Sequence, residues 1–203
     1  MLMIGKLPRN KVAGFTIIEL AIAMAVFGFL ILAAAPSLQD WFKNTRIRGA
    51  AESLQNGILT ARVEAIRRNR PITFWLLSND DPDQFLASCS LSESGTAWMV
   101  SVDSPAGNCD DAPSLTTTPM IVTGRTTGDS GKHVAISATQ SDGTTAATSI
   151  TFNSFGSVVK TPGPPDRDPI GQIDITNDVD SSSSRSLRIV ITANGKITLG
   201  NRP

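Results

Sequence analysis

The sequence predicts an α+β protein: one long N-terminal helix, apolar all round in its first half, packed on a C-terminal antiparallel β-sheet domain. Three observations carry this. Phe15 to Ala35 is a run of 21 residues in which Glu19 is the only charge. Beyond Pro36, apolar residues recur at spacings of three and four as far as Pro71. After Pro71 the period shortens, and short apolar runs alternate with Gly, Ser, Thr, Asn and Asp clusters.

The first half of the helix has the length of a membrane span. At ~1.5 Å per residue it is about 31 Å long, close to the hydrocarbon thickness of a bilayer. A carboxylate inside such a run costs about 2.5–3.5 kcal/mol at the bilayer centre, less near an end, and Glu19 therefore asks for a partner. Lys6, Arg9 and Lys11 precede the run with no acid among them. By the positive-inside rule this basic stub stays cytoplasmic and the chain after Pro36 is exported. A secretory signal peptide is the plainer alternative, with Ala33-Ala34-Ala35 as a cleavage site. The run is longer than a usual h-region, however, and a Glu within one is out of place.

The second half of the helix is amphipathic. Ile47, Ala50, Ala51, Leu54, Ile58, Ala61, Ala65 and Ile66 form one apolar face. Arg46, Arg48, Glu52, Gln55, Arg62, Arg67 and Arg68 lie between them. Pro71 disfavours helix at the residue before it, so the predicted helix spans about Phe15 to Asn69. Pro36, Gly49 and Gly57 are the places where it can bend or loosen. Arg67, Arg68 and Arg70 suit a helix C-terminus, where cations are favoured, better than a phosphate site.

The β domain follows in short pieces. Ile72 to Leu77 reads as a strand, and Asn79-Asp80-Asp81-Pro82-Asp83 as a solvated turn without the Gly and distal Glu of a calcium loop. Further strands are expected at 85–90, 97–102, 119–123, 133–138, 148–153, 156–160 and 170–176. Four prolines in the nine residues 161–169 make that stretch an irregular excursion. Asp178 to Ser184 is a polar turn. Asn194-Gly195 between two apolar runs, 186–191 and 196–199, is a strong hairpin signal.

Charge and cysteine content bound the function. The whole chain has 18 Lys and Arg against 18 Asp and Glu. Without residues 1–14 the balance is 15 to 18, near −3, which is not the profile of a strong nucleic-acid binder. In an exported domain the two cysteines, Cys89 and Cys109, are expected to form a disulfide, two lone buried thiols being the alternative. Closing that loop stabilises by about 3 kcal/mol in the chain-entropy model. The single histidine, His133, has no neighbouring ligand pattern, so no metal site and no cofactor are expected. There is no G-x-S-x-G elbow and no Gly-rich phosphate loop after a strand, and an enzyme is not expected.

Gly14-Phe15-Thr16-Ile17-Ile18-Glu19 after a short basic stub, followed by the apolar run, resembles the type IV prepilin signature. That signature is shared by type IV pilins and by the pseudopilins of type II secretion. The resemblance implies the type IV pilin fold. It also implies a leader over 1–14, a transmembrane and filament-core half-helix over 15–36, an amphipathic half over 37–70 and a periplasmic β-rich domain over 71–203. It further implies cleavage after Gly14 and N-methylation of Phe15 by the prepilin peptidase/N-methyltransferase, and an assembly role for Glu19. The family's frequent proline, 22 residues into the mature chain, falls on Pro36.

Two later elements narrow the resemblance. Ile150 to Val159, with Phe155 and Gly156 in its loop, is similar to a strand–loop–strand element of one subfamily, and Leu187 to Ile197 is similar to its closing hairpin. That subfamily holds the minor pseudopilin H of type II secretion (GspH) and the minor pilins FimT and FimU. It implies a minor pilin or pseudopilin in the inner membrane that helps to assemble or prime a pilus or pseudopilus with other minor and major subunits. DNA capture in natural transformation is the alternative, with Arg185, Arg188, Lys196 and Arg202 as contacts; it is not favoured, because the mature charge is negative and Asp166, Asp168, Asp174, Asp178 and Asp180 lie close by in sequence. Residues 78–148 and the insert 161–169 carry no element of the resemblance, and surface specificity is assigned to them.

Overall fold

The computed structural model describes residues 14–128, 133–177 and 186–202, with the side chains of 33–38 outside the description. The expected leader before Gly14, the polar turn 178–184 and Arg185 therefore lie outside the described residues. The chain divides into two units, up to Gln39 and from Asp40.

Helix α1 runs from Ile17 to Arg68 and crosses from the first unit into the second. At its start Thr16 acts as N-cap, its Oγ1 accepting the Glu19 amide at 3.3 Å. At its end Asn69 takes the left-handed conformation, φ 51°. The Asn69 amide donates to Ile66 O and the Arg70 amide to Ala65 O, the Schellman pattern that satisfies the last carbonyls. Pro71 then prevents continuation. Glu64 closes the same end, its Oε2 accepting from Arg67 Nη2 at 2.7 Å and Arg68 Nε at 2.6 Å. The cations expected to serve the helix terminus are thus also held by a carboxylate one turn back.

In the first unit the described apolar side chains, Ile17 to Leu32, are almost all exposed. Among the described residues no helix is long and apolar enough to cross a membrane. The rest of the expected 15–36 span falls at 33–38. The bend expected at Pro36 also lies there.

The second unit is built from two antiparallel sheets. In the first sheet the order is β4(Ile121–Arg125)-β3(Ala97–Ser101)-β1(Ile72–Ser78)-β6(Ser149–Phe152)-β7(Val158–Val159), with β2(Ser90–Leu91) also pairing β1. In the second it is β10(Ile197–Asn201)-β9(Leu187–Ile191)-β8(Gln172–Asn177)-β5(Val134–Thr139). α1 covers both. Ile47, Leu54, Ile58, Ala61 and Ala65 share one core with Phe74 and Ile150 of the first sheet and Ile136, Ile173 and Ile189 of the second. The Trp98 indole donates to Ser53 Oγ at 3.0 Å and pins helix to sheet. Of the predicted helical face, only Ile66 departs: it is 50% exposed.

β1 is buried on both faces, which is why it reads as a nearly unbroken apolar run. On the face away from α1, Trp75, Leu77, Ala97, Met99 and Ile121 form a second core with Cys89 and Cys109. The two cysteines are joined as a disulfide, Cα atoms 6.1 Å apart. The strand expected at 85–90 is not formed except at Ser90. Asn79 prevents it: its Nδ2 donates to Gln84 O, its Oδ1 accepts from the Leu86 amide, and a turn closes from Leu86 to Cys89. Asp81 likewise accepts the Asp83 and Gln84 amides, and these bonds, the Asp83 amide first, hold its carboxyl below the usual range.

The proline-rich excursion is more ordered than expected. Thr161 and Arg167 exchange two backbone hydrogen bonds at 2.9 Å, an isolated antiparallel bridge that closes the loop on itself. Thr161 Oγ1 then joins a buried hydroxyl network with Ser149 and Thr151, and Thr151 bonds Thr73.

Two outcomes are expected. Gly57 is not a loosening point: an added Cβ would lie 2.8 Å from both the Phe74 and Trp98 rings. Gly57→Ala gains about 1 kcal/mol of helix propensity but overpacks a two-ring contact, a cost of about 1–3 kcal/mol. Thermal unfolding of the variant should show a lower Tm; a raised Tm would show that the rings yield freely. For Glu64, desolvation raises the carboxyl, but the hydrogen bonds from Arg67 and Arg68 outweigh it and leave the folded value below the ordinary one. Its contribution is therefore present at neutral pH and is lost as pH falls through the usual glutamate value, about 4.3, and on through the lower folded value. Glu64→Gln should cost about 1 kcal/mol at pH 7, discounted for the exposed Arg67. In denaturant melts the difference from the parent should shrink on acidification below pH ~4; a constant difference would refute the pairing.

Candidate functional site

The N-terminal segment places its expected functional residues in the open. Phe15 is 87% exposed, and a Cβ on Gly14 would meet nothing within 4 Å. The chain's own packing therefore does not require Gly at 14. Glu19 is exposed, and among the described residues its carboxylate makes no ion pair or hydrogen bond. Its amide is taken by Thr16, so Thr16 and Glu19 form one half of a capping box. The T-x-x-E spacing was readable in the sequence; it gives Glu19 a local role at the helix N-terminus, where a negative charge is favoured. It leaves the carboxylate itself available to something outside this chain.

The strand–loop–strand element and the closing hairpin, distant in sequence, meet at α1. Arg62 Nε donates to Gly156 O at 3.0 Å. A Cβ on Gly195, φ 76°, would fall 2.1 Å from that same carbonyl, so only glycine serves in both conformation and space. The Val158 amide donates to Ala193 O at 3.0 Å and completes the junction. Phe155, between these contacts in sequence, is 86% exposed. Arg62 was read only as a polar spacer in the sequence, because its partner is 94 residues away.

The four candidate DNA contacts do not form one free basic patch. Arg185 lies outside the described residues. Asp174 and Arg188 are cross-strand partners in β8 and β9, and the guanidinium forks onto the carboxylate, Nε–Oδ1 2.5 Å and Nη2–Oδ2 2.9 Å. Arg202 Nε adds a third contact to Asp174 at 3.3 Å. The hydrogen bond to Asp174 holds Arg188 above its usual value despite desolvation. Lys196 is exposed on the turn side of β10. Two of the three described cations are thus spent on one carboxylate. That arrangement depends on strand register, which a separation of 14 residues in sequence did not reveal. Among the described residues no group of three or more His, Cys, Asp or Glu is placed to hold a metal ion.

Comparison with known proteins gives two family matches. Residues 50–195 match the family described as the type II transport protein GspH, and residues 9–35 match the prokaryotic N-terminal methylation motif. Among curated proteins none matches. Among solved structures, this chain is similar to the type IV minor pilin FimU of Pseudomonas aeruginosa strain PAO1 in two crystal forms. The first shares 17% identity over 79% of this chain and 92% of that one, TM-score 0.48. The second shares 17% over 75% and 91%, TM-score 0.45. Nothing beyond the likeness follows from values this low.

The Asp174 fork yields a direct test of cation availability. Asp174→Asn frees Arg188 and Arg202, so retention of the full chain on a heparin column should shift to higher salt than the parent. An unchanged elution would show that the guanidinium groups already face solvent anions despite the pairing.

Proposed function

The chain belongs to the type II transport protein GspH family, and from that premise we propose that it is a membrane-anchored minor subunit that helps to prime a type IV pilus or a type II secretion pseudopilus. The observation that carries this reading is the pairing of the GspH match over residues 50–195 with the methylation motif over 9–35 on one chain. In this reading residues 1–14 are a leader that the prepilin peptidase removes after Gly14, and the Phe15 amine is then methylated by the same partner. Residues 15–36 form the inner-membrane and filament-core half of the helix, 37–70 the amphipathic half, and 71–203 a periplasmic domain. The protein is a substrate and a building block, not a catalyst.

The proposed mechanism of assembly is charge pairing in an apolar surround. The Phe15 amine of one subunit and Glu19 of its neighbour are each costly to bury alone, and pairing removes both costs. Support comes from the open position of both residues and from a Glu19 carboxylate without a partner among the described residues. DNA capture is the lesser reading, since Arg188 and Arg202 are tied to Asp174.

The test is Glu19→Val in a strain lacking the native copy. A more apolar anchor inserts more easily, so the variant should reach the membrane, and mass spectrometry should find its N-terminus at methylated Phe15. Filament number in sheared fractions should nevertheless fall sharply. Normal filament numbers with full incorporation of the variant would overturn the pairing mechanism, and an N-terminus at Pro36 would overturn the family-based reading of the anchor.

A further inference from the structure

On the face of the first sheet away from α1, the closed excursion 161–167 and the end of α1 wall a cavity of about 370 Å³. Its floor is β1, through Thr73 and Trp75, and Pro71, Pro162 and Pro164 line its sides. Two arginines line it, one just beyond the end of α1 and one on the excursion. Arg167 lies over the Trp75 ring, 5.9 Å from its centroid, and Arg70 meets the Met120 thioether at 3.5 Å. Among the described residues neither guanidinium has a carboxylate partner. Asp103, exposed on the rim, leaves the lining with one excess positive charge. Trp75 is buried, and its indole N–H has no hydrogen-bond partner, an uncommon and costly state for a native donor. By contrast, the hydroxyls of Thr73 and Thr161 on the same lining are already satisfied by Thr151 and Ser149.

We propose that this cavity binds an acidic peptide segment of another protein, with a side-chain carboxylate held between Arg70 and Arg167. The guanidinium fork matches a carboxylate in two hydrogen bonds, and charge-assisted bonds of this kind are the strong ones. The volume argues for a peptide over a bare oxyanion: a water takes about 30 Å³, and the space here holds many times that. Proline and Trp walls suit the apolar stem and backbone of an extended segment. When Arg167 turns from the indole face to the carboxylate, it uncovers Trp75, and a peptide carbonyl can then accept the indole N–H. The proline-rich insert has a purpose in this arrangement: the Thr161–Arg167 bridge holds Arg167 in place, and the prolines fix the wall.

The test uses the full chain in dodecyl maltoside micelles with ¹⁵N-labelled tryptophan, whose three indole signals are assigned through Trp75→Phe. The probes are the blocked peptide acetyl-Gly-Glu-Gly-amide, its Gln counterpart and inorganic phosphate. The Glu peptide should shift the Trp75 signal saturably in the millimolar range, while Trp98, which faces Ser53, stays put and reports that the fold is intact. The Gln peptide should bind about tenfold more weakly, as should the Glu peptide to Arg70→Gln and to Arg167→Gln, with Arg167→Lys between variant and parent. Equal binding of the two peptides, unchanged affinity in both Gln variants, or no shift of Trp75 at any peptide concentration would overturn the proposal. A response to phosphate with none to the Glu peptide would overturn it as well and mark a simple anion site.

Discussion

The whole second unit rests on one contact: the apolar stripe of α1 from Ile47 to Ala65 laid across two sheets at once. Neither sheet alone closes the core under the helix. Phe74 and Ile150 come from one, Ile173 and Ile189 from the other, and they meet only because the helix lies over both. Small residues make the approach possible. Ala50, Ala51, Gly57, Ala61 and Ala65 sit where larger side chains would hold the helix off, and Gly57 brings its backbone against the Phe74 and Trp98 rings. Interiors are packed densely enough that an extra methyl at such a point must displace something.

With one face of the first sheet committed to α1, the opposite face needs its own cover. The chain supplies two irregular pieces in place of a second helix. One surrounds the Cys89–Cys109 disulfide, where Phe85 and Leu91 pack against the cluster of Trp75, Leu77 and Met99. The other is the proline-rich excursion, seated by Thr161 in the hydroxyl network beside Thr73. Loops tolerate change better than elements, so this is the face on which related chains are free to differ in what they recognise. The cavity between the two pieces is where that freedom has produced two arginines and an unsatisfied indole.

The charged groups divide by whether the fold uses them. Arg62, Arg67, Arg68, Arg188 and Arg202 all serve internal acceptors: a turn carbonyl, Glu64 and Asp174. Glu19, Arg70 and Arg167 have no partner of opposite charge within the described chain. The proposed role in assembly would call for charges of this second kind.

The sequence by itself determined the elements whose signal is local. The helix from near Phe15 to near Asn69, the strand from Ile72 to Leu77 and the Asn194-Gly195 hairpin were all legible, because periodicity, proline and turn chemistry act over a few residues. The Gly-Phe-Thr-x-x-Glu signature was legible for the same reason. What only the tertiary structure decided were the partners. Arg188 looked like a free cation until strand register set it opposite Asp174. Ile66 carried the helical period yet stayed half exposed. Residues 85–90 had strand composition, but the Asn79 side chain takes the Leu86 amide and bonds Gln84 O just before them. For Arg188 the deciding group lies across a sheet, and for residues 85–90 it is a side chain outside the run itself; composition holds no record of which groups folding brings within 3 Å.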